Sequence, residues 1–202
     1  MTRRRGIILD RDGTLVDIVR DEETGVMTTA FHPSQLRLLS GVVEGLRKLE
    51  AAGFVLAIAT NQPGPAKGHF SRDAVKQTND ALVAMLAREN VQIAMVVACM
   101  HHPVGGPGGD AALVGPCACR KPQPGMLDEI VGALDLDRAA SWIIGDTTSD
   151  VEAGRAAGVK TALVFDTKRC ELCPLRDGPA ARPDAQGSTL AALADEIART
   201  AC

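Results

Sequence analysis

The chain has 202 residues, of which 46% are hydrophobic and only 2% aromatic, enough for one compact domain (residues 1–202) with an aliphatic core. Its formal net charge of -3 offers no basic footprint for nucleic acid or for an anionic membrane surface. No stretch approaches the roughly 18 apolar residues of a membrane span. The first apolar run, residues 7–9, meets Asp10 at once, so we expect no signal peptide and a cytoplasmic, monomeric protein.

Short apolar runs alternate with helical patterns along most of the chain. The runs are typical of strands that are buried on both faces of a parallel sheet, and they cover residues 6–10, 54–60, 93–99, 141–146 and 160–165. Apolar residues at helical spacing predict helices over residues 41–52, 71–90, 124–134, 148–157 and about 188–200. This alternation predicts an α/β fold with a doubly wound, Rossmann-like parallel sheet.

Three longer segments interrupt the alternation. They are residues 16–40, 99–122 and 166–187. Connections longer than about 12–15 residues are usually functional or disordered. The first two are too short for an inserted domain, so we expect no large cap over the site. The third is rich in Pro, Gly and Arg and carries Cys170 and Cys173, for which we expect an incidental or local structural role.

Polar residues follow the predicted strands at the edge where open parallel sheets bind ligands. The first strand ends in Asp10, and Asp12 follows it before a glycine turn. The second ends in Thr60 and Asn61, and the fourth ends in Asp146. Since the carboxyl ends of parallel strands share one edge, we expect these side chains to converge.

The converging residue types suit phosphoryl transfer. Crowded carboxylates favour a hard, oxygen-binding cation such as Mg²⁺. We expect Asp10 to attack phosphorus and form an aspartyl phosphate, and Asp12 to protonate the leaving oxygen and then activate water. Thr60, Asn61 and Lys121 supply donors for the phosphoryl oxygens.

The second long segment holds a cluster of soft metal ligands. Cys99 and His101 form one close pair, 15 residues intervene, and Cys117 and Cys119 form another. Four such ligands suit tetrahedral Zn²⁺, and a closed four-ligand site is structural. The spacing leaves three alternatives open: an unliganded thiol cluster, a Cys117–Cys119 redox pair, or His102 in place of His101.

Four motifs, in order, resemble those of the haloacid dehalogenase superfamily. They are "DRDGTL", "ATN", "RKP" and "GDTTSD", beginning at residues 10, 59, 120 and 145. The resemblance spans residues 5–165. The CxH and CxC pairs that precede "RKP" resemble the zinc-bearing branch of that superfamily, which holds D,D-heptose 1,7-bisphosphate 7-phosphatases and their histidinol-phosphate phosphatase relatives.

The resemblance implies a role for each matching residue. Asp10 is the nucleophile, Asp12 is the proton donor, and Thr60 and Lys121 stabilise the phosphoryl group. Mg²⁺ binds the carboxylates of Asp10 and Asp146 and the main-chain carbonyl of Asp12. Zn²⁺ binds the four residues that make up the two pairs, namely Cys99, His101, Cys117 and Cys119. The substrate contacts Asn61, Gln62 and Arg120.

We therefore expect a Mg²⁺-dependent phosphatase that acts on a small phosphorylated metabolite, with the 7-phosphate of D-glycero-D-manno-heptose 1,7-bisphosphate as the leading substrate. A histidinol-phosphate phosphatase or a phosphatase of another small metabolite is the alternative within the enzyme class. A receiver-like domain, which is also phosphorylated on an aspartate at a strand end, is the alternative from another class. Pro63 and Thr147 stand where the heptose phosphatases usually carry Ser and a basic residue.

Overall fold

The computed structural model describes residues 3–20, 27–164 and 182–199. The strands are β1 (Arg5–Leu9), β2 (Val19–Arg20), β3 (Met27–Thr28), β4 (Phe54–Asn61), β5 (Ile93–Cys99), β6 (Trp142–Gly145), β7 (Lys160–Val164) and β8 (Ala185–Gly187). The α-helices are α1 (Val42–Ala51), α2 (Gly64–Lys67), α3 (Arg72–Arg88), α4 (Gly125–Ala133), α5 (Thr148–Ala157) and α6 (Leu190–Arg199).

Six of these strands form one parallel sheet in the order β5-β4-β1-β6-β7-β8. The chain moves outward from β1 in one direction through β4 and β5, then returns to the other side of β1 through β6. This is the doubly wound order of Rossmann-like folds, whose ligand site lies where the order reverses. The predicted fold class is confirmed, and the reversal lies between β1, β4 and β6.

Apolar side chains alternate between the two faces of the sheet, as the strand period of two requires. In β1, Ile7 and Leu9 join one buried cluster, which also contains residues of α1, α3 and α6. Ile8 joins the other, with residues of α4 and α5. Helices therefore cover both faces, which explains why the strand sequences are apolar throughout rather than alternating.

The tail contributes to this core. The last helix, predicted around residues 188–200, is α6, and it packs against α1 so closely that a Cβ at Gly45 would lie 2.8 Å from the main chain of Leu190. β8 adds a sixth strand beside β7. The sequence did not predict β8, because its three residues form no apolar run. Cys170, Cys173 and Cys202 lie outside the described residues.

The described parts of the long segments contain little regular structure. Residues 16–40 contribute the two-stranded β2–β3 sheet and a short 3-10 helix, Pro33–Gln35. The cysteine-bearing segment contributes another 3-10 helix, Ala111–Leu113. Neither amounts to a cap in the described ranges, as predicted. Among the helices that the structure describes, none has the length and apolar character needed to cross a membrane.

Candidate active site and metal centre

The first acidic residue follows β1 directly. The main-chain N–H of Asp10 donates to the carbonyl of Ile144 in β6 over 2.9 Å, which fixes the end of β1 beside β6. The chain then turns at Gly13, whose φ is +81°. A Cβ at Gly13 would lie 2.1 Å from Oδ2 of Asp146. The glycine is therefore required twice, by its backbone conformation and by the approach of Asp146.

Lys121 links the carboxyl ends of β1 and β4 to helix α5. Its Nζ donates to Oδ1 of Asp10 over 2.6 Å, to Oδ1 of Asp150 over 2.6 Å and to the carbonyl of Ala59 over 2.8 Å. Both polar atoms of the Asn61 amide hold the main chain of Lys121, because Nδ2 donates to its carbonyl and Oδ1 accepts from its N–H. Although burial opposes the charge, the carboxylates of Asp10 and Asp150 keep the pKa of Lys121 above its usual value.

Three carboxylates surround this single ammonium. Oxygens of Asp10, Asp146 and Asp150 lie within 4.8 Å of one another. Burial, reinforced by the charges of Asp150 and Asp12, raises the pKa of Asp10 to about 7. Burial, reinforced by Asp10 and Asp150, raises the pKa of Asp146 to about 8. Lys121 alone therefore does not keep Asp10 and Asp146 fully ionised near neutral pH.

The hydrogen bonds separate the three carboxylates by role. Asp150 is committed to the protein, since Oδ1 accepts from Lys121 and Oδ2 accepts from the N–H and hydroxyl of Thr147. Oδ1 of Asp146, in contrast, is buried and has no hydrogen-bond partner. An unpaired buried carboxylate oxygen is costly, and a hard cation between Asp10 and Asp146 would satisfy it. The donor set therefore fits a divalent metal such as Mg²⁺.

Asp12 is held at the rim of this cluster. Its Oδ2 accepts from Nε2 of Gln62 over 2.6 Å and from Nε of Arg11 over 3.1 Å, and its Oδ1 accepts from Nη2 of Arg11 over 3.2 Å. Gln62 Nε2 also donates to the hydroxyl of Thr60 over 2.9 Å. The side chain of Asp12 remains 17% exposed, whereas Gln62 is fully buried. Asp12 is thus partly accessible to solvent, while hydrogen bonds from Arg11 and Gln62 fix the orientation of its carboxylate.

Sequence reasoning missed Arg11, which the structure buries completely. Besides Asp12, its guanidinium reaches Oδ1 of Asn79 on α3 over 2.7 Å, the hydroxyl of Thr29 over 2.5 Å and the carbonyl of Ala30 over 2.7 Å. An arginine between two aspartates in a turn is typical of solvated charge. One signal was present in the sequence: Asn79 lies on the same face of α3 as the apolar residues Val75 and Leu82, where a polar side chain needs a buried partner.

The four predicted zinc ligands form a second cluster. Sγ of Cys99 lies 3.7 Å from Sγ of Cys117 and 2.9 Å from Sγ of Cys119, and Nδ1 of His101 lies 3.9 and 3.5 Å from Sγ of Cys99 and Cys119. Tetrahedral zinc with Zn–S bonds near 2.3 Å separates its sulfur ligands by about 3.8 Å. The Cys99–Cys117 distance matches that separation, whereas Cys99 and Cys119 lie closer and would move apart around a bound ion. The cluster has the donor types of a closed zinc site.

His102 points away from this cluster. Its Nδ1 lies 2.6 Å from the carbonyl of Val104, and its main chain pairs with Leu113 and Gly115 across the loop. His101 is thus the histidine that the structure brings to the thiols. Burial raises the pKa of the Cys99 thiol, so a proton would have to leave when a metal binds.

The thiol cluster adjoins the carboxylate cluster. Cys99 is the last residue of β5 and pairs in register with Asn61, the last residue of β4. Its carbonyl accepts from the N–H of Gln62 over 2.7 Å. At the other end of the loop, Arg120 donates to the carbonyl of His101 over 3.3 Å. The start of the loop is therefore bonded to the end of β4, and its two ends contact each other beside Lys121.

The structure brings together five residues predicted for catalysis and metal binding, namely Asp10, Asp12, Thr60, Lys121 and Asp146. Asn61 and Gln62 lie beside them with their amides bonded to protein groups, and Arg120 lies half-buried at the edge. The substrate contacts predicted for these last three residues stay predictions.

A HAD-hydrolase-like family model matches residues 118–193. D-glycero-beta-D-manno-heptose-1,7-bisphosphate 7-phosphatase of Pasteurella multocida is 33% identical over 164 residues, covering 81% of this chain and 83% of that protein. The protein of the same name from Rhodopseudomonas palustris is 37% identical over 157 residues, covering 78% and 81%.

Solved structures agree with these sequence matches. A D,D-heptose 1,7-bisphosphate phosphatase from B. bronchiseptica, complexed with magnesium and phosphate, superposes with a TM-score of 0.76 at 28% identity, covering 97% of this chain and 99% of that one. A HAD-like phosphatase from Mesorhizobium loti gives a TM-score of 0.77 at 27% identity, covering 100% and 88%.

Proposed function

The chain belongs to the HAD-like phosphatase family that includes the D-glycero-beta-D-manno-heptose-1,7-bisphosphate 7-phosphatases, and on that premise we propose that it removes the 7-phosphate of this sugar bisphosphate. It is a phosphoric monoester hydrolase. The substrate rests on relatives that match about four-fifths of the chain under that name.

One observation carries the proposal: Lys121 Nζ lies 2.6 Å from the carboxylate of Asp10 in a buried cluster at the carboxyl ends of β1, β4 and β6. A strand-end carboxylate beside a fixed ammonium is placed to receive a phosphoryl group whose negative charge the ammonium stabilises. The hydroxyl of Thr60 lies beside this cluster, since it accepts from the same Gln62 amide that donates to Asp12.

The proposed reaction has two steps. A carboxylate oxygen of Asp10 attacks phosphorus, the P–O bond to the sugar breaks, and Asp12 gives a proton to the leaving sugar oxygen. Asp12, now ionised, takes a proton from water as that water attacks the aspartyl phosphate, which releases phosphate and regenerates Asp10. Lys121 and Thr60 bind the phosphoryl oxygens in both steps.

Mg²⁺ is proposed to bind the carboxylates of Asp10 and Asp146 and the main-chain carbonyl of Asp12. The support is the unpartnered, buried Oδ1 of Asp146 and the crowding of three carboxyl groups around one ammonium. When bound, the ion supplies positive charge that lets the crowded carboxylates stay ionised and helps to neutralise the phosphate.

Zn²⁺ is proposed to bind Cys99, His101, Cys117 and Cys119 as a structural ion. The support is the compact arrangement of one ring nitrogen and three sulfurs. The segment between the two ligand pairs is rich in glycine and has little apolar surface, so a metal would fix its shape. Because the loop ends at Arg120 and Lys121, that shape positions a substrate contact and a catalytic cation.

Substrate recognition is assigned to Arg120, Asn61 and Gln62. Arg120 offers a planar fork of donors, which suits a second phosphate or a sugar hydroxyl. The amides of Asn61 and Gln62 bond to Lys121 and to Asp12, so they would also act on the substrate by holding those two residues in place. We further propose a single-domain, cytoplasmic monomer, as expected from the sequence.

Phosphate release from a panel of substrates tests the proposal. The panel holds D-glycero-β-D-manno-heptose 1,7-bisphosphate, the corresponding heptose 1-phosphate and histidinol phosphate, each assayed with Mg²⁺ for the wild type and for Asp10→Asn. We expect loss of the 7-phosphate from the bisphosphate, no hydrolysis of the 1-phosphate, and no activity in the variant. Preference for histidinol phosphate would overturn the substrate, and equal activity of Asp10→Asn would overturn the mechanism.

A further inference from the structure

Arg11 is the largest polar side chain that the structure buries completely, and the mechanism above gives it no role. Burying a guanidinium costs several kcal/mol unless good partners compensate it. The guanidinium of Arg11 donates hydrogen bonds to one carboxylate, that of Asp12, and to three neutral groups from two other segments. A side chain this costly to bury, in contact with the proposed proton donor, points to a function.

The contacts close a ring behind Asp12. Nη2 of Arg11 donates to Asp12 and to the hydroxyl of Thr29, the hydroxyl of Thr29 donates to Oε1 of Gln62 over 3.2 Å, and Nε2 of Gln62 donates back to Asp12. Each member fixes the next. Nη1 of Arg11 bonds to Asn79, which fastens the whole ring to helix α3.

The ring restricts Asp12 to one orientation. Oδ2 accepts two hydrogen bonds, from Gln62 and Arg11, whereas Oδ1 accepts one, from Nη2 of Arg11. Oδ1 therefore keeps lone-pair capacity for a further partner, and the side chain as a whole remains 17% exposed. A proton donor misplaced by about 1 Å can lose about 100-fold in rate.

We propose that Arg11 is a positioning residue, whose buried guanidinium holds the Asp12 carboxylate in the orientation that delivers a proton to the leaving sugar oxygen. The inference rests on the proposed role of Asp12 as proton donor. Arg11 affects proton transfer from Asp12 and does not bind phosphate, because its side chain is fully buried and contacts protein groups.

The leaving group of the substrate provides the test, because a sugar alkoxide needs a proton to depart and p-nitrophenolate does not. The rate of leaving-group release in the first turnover, which precedes the attack of water on the aspartyl phosphate, is measured with the full-length, Mg²⁺-loaded protein. The substrates are the heptose bisphosphate and p-nitrophenyl phosphate, and the proteins are the wild type, Asp12→Asn and Arg11→Lys. Arg11→Lys keeps the charge but cannot reach Asp12, Thr29 and Asn79 at once.

General acid–base catalysis contributes about 10²–10⁴-fold, so we expect Asp12→Asn to lose about that much on the sugar substrate and far less on p-nitrophenyl phosphate. Arg11→Lys should lose about 10–100-fold on the sugar substrate and at most about threefold on p-nitrophenyl phosphate, as a partial loss of the same effect. Suppose that Asp12→Asn is slowed selectively on the sugar substrate. If Arg11→Lys is then slowed equally on both substrates, or not slowed at all, the role of Arg11 alone is overturned. A non-selective Asp12→Asn would overturn the proposed role of Asp12, and this inference with it.

Thr29 gives a second route if Arg11→Lys does not fold, as checked by circular dichroism. Thr29→Val keeps the shape but removes the hydroxyl that Arg11 and Gln62 share, and Thr29→Ser keeps that hydroxyl. We expect Thr29→Val to lose activity selectively on the sugar substrate and Thr29→Ser to stay near the wild type. Equal behaviour of the two variants would contradict the positioning ring.

Discussion

The Nζ atom of Lys121 lies 2.6 Å from Oδ1 of Asp10, although the two residues are 111 positions apart in the chain. Their meeting depends on three neighbouring strands of the sheet, β1, β4 and β5. β1 delivers Asp10, and the loop that follows β5 returns Lys121 to the same edge, where Asn61 at the end of β4 holds its main chain. The nucleophile and the ammonium are thus positioned by separate strands.

Replacing Lys121 with methionine should impair both activity and folding. The change removes a donor to the phosphoryl group, which costs about 10²–10³ in kcat. It also leaves Asp10 and Asp150 buried without their cation, which costs about 3–5 kcal/mol of unfolding free energy. Lys76→Met, at an exposed lysine that pairs with Asp80 on the surface of α3, is the control and should change neither quantity by much. Near wild-type kinetics for Lys121→Met would exclude its catalytic role.

Gly13→Ala tests how closely the loop after β1 must approach Asp146. The new Cβ would meet Oδ2 of Asp146 at 2.1 Å, and the residue would have to keep a φ of +81°. We expect loss of Mg²⁺-dependent activity together with a lower melting temperature.

The matched control for that change is Gly132→Ala in α4, where a Cβ would meet no atom within 4 Å. Helix propensity predicts that this variant gains about 0.5–1 kcal/mol of stability and keeps full activity. If the two alanine variants behaved alike in thermal unfolding and phosphate release, the close approach of Gly13 to Asp146 would be refuted.

Mg²⁺ should stabilise the protein, because it relieves the carboxylate cluster. At a concentration 100 times its Kd, a ligand that binds only the folded state adds about 2.7 kcal/mol of stability. We expect a corresponding rise in melting temperature for the wild type and none for Asp146→Asn. Without metal, Asp146→Asn should be at least as stable as the wild type, since an amide cannot ionise in this buried site, where burial and the neighbouring carboxylates raise the pKa of Asp146 to about 8.

Asp128→Asn, at an exposed carboxylate that pairs with Arg138, serves as the control for the metal titration. It should keep the full Mg²⁺ response. A response that persists in Asp146→Asn would place the ion elsewhere.

Zinc content should depend on the four clustered ligands and not on His102. We expect about one zinc per purified chain, the stoichiometry of a single four-ligand site, and its loss in Cys117→Ser. His102→Asn should retain zinc, because the ring of His102 lies against the carbonyl of Val104 instead of the thiols. Metal analysis of the two variants decides the point, and zinc loss in His102→Asn alone would reverse the ligand assignment.

The sheet and much of the site were predictable from the sequence for a simple reason. Strands that are buried on both faces leave apolar runs, and the residues that end those runs share one edge of the sheet. That rule predicts that Asp10 and Asp146 lie close together. The spacing of the cysteines and His101 predicts the second cluster. Predicted and observed strand bounds differ by at most one residue.

The contacts that orient the site were not predictable in the same way. Nothing in "DRDGT" shows that Arg11 turns inward, because its burial depends on Asn79, which lies 68 positions away, and on the main chain at Ala30. β8 carries no apolar run and forms because β7 offers an open edge. The burial of Arg11 and the pairing of β8 depend on contacts between distant segments, which local sequence patterns do not reveal.

Trapping the covalent intermediate tests the central claim most directly. The wild type is mixed with the heptose bisphosphate labelled in its 7-phosphate, quenched in acid within a single turnover, and digested for peptide analysis. We expect the label on Asp10, transient on the time scale of turnover, and no labelled peptide from Asp10→Asn. Label that persists for hours would indicate a receiver-like domain instead of a phosphatase. Phosphate release by Asp10→Asn at the wild-type rate, with no label on the protein, would contradict the account.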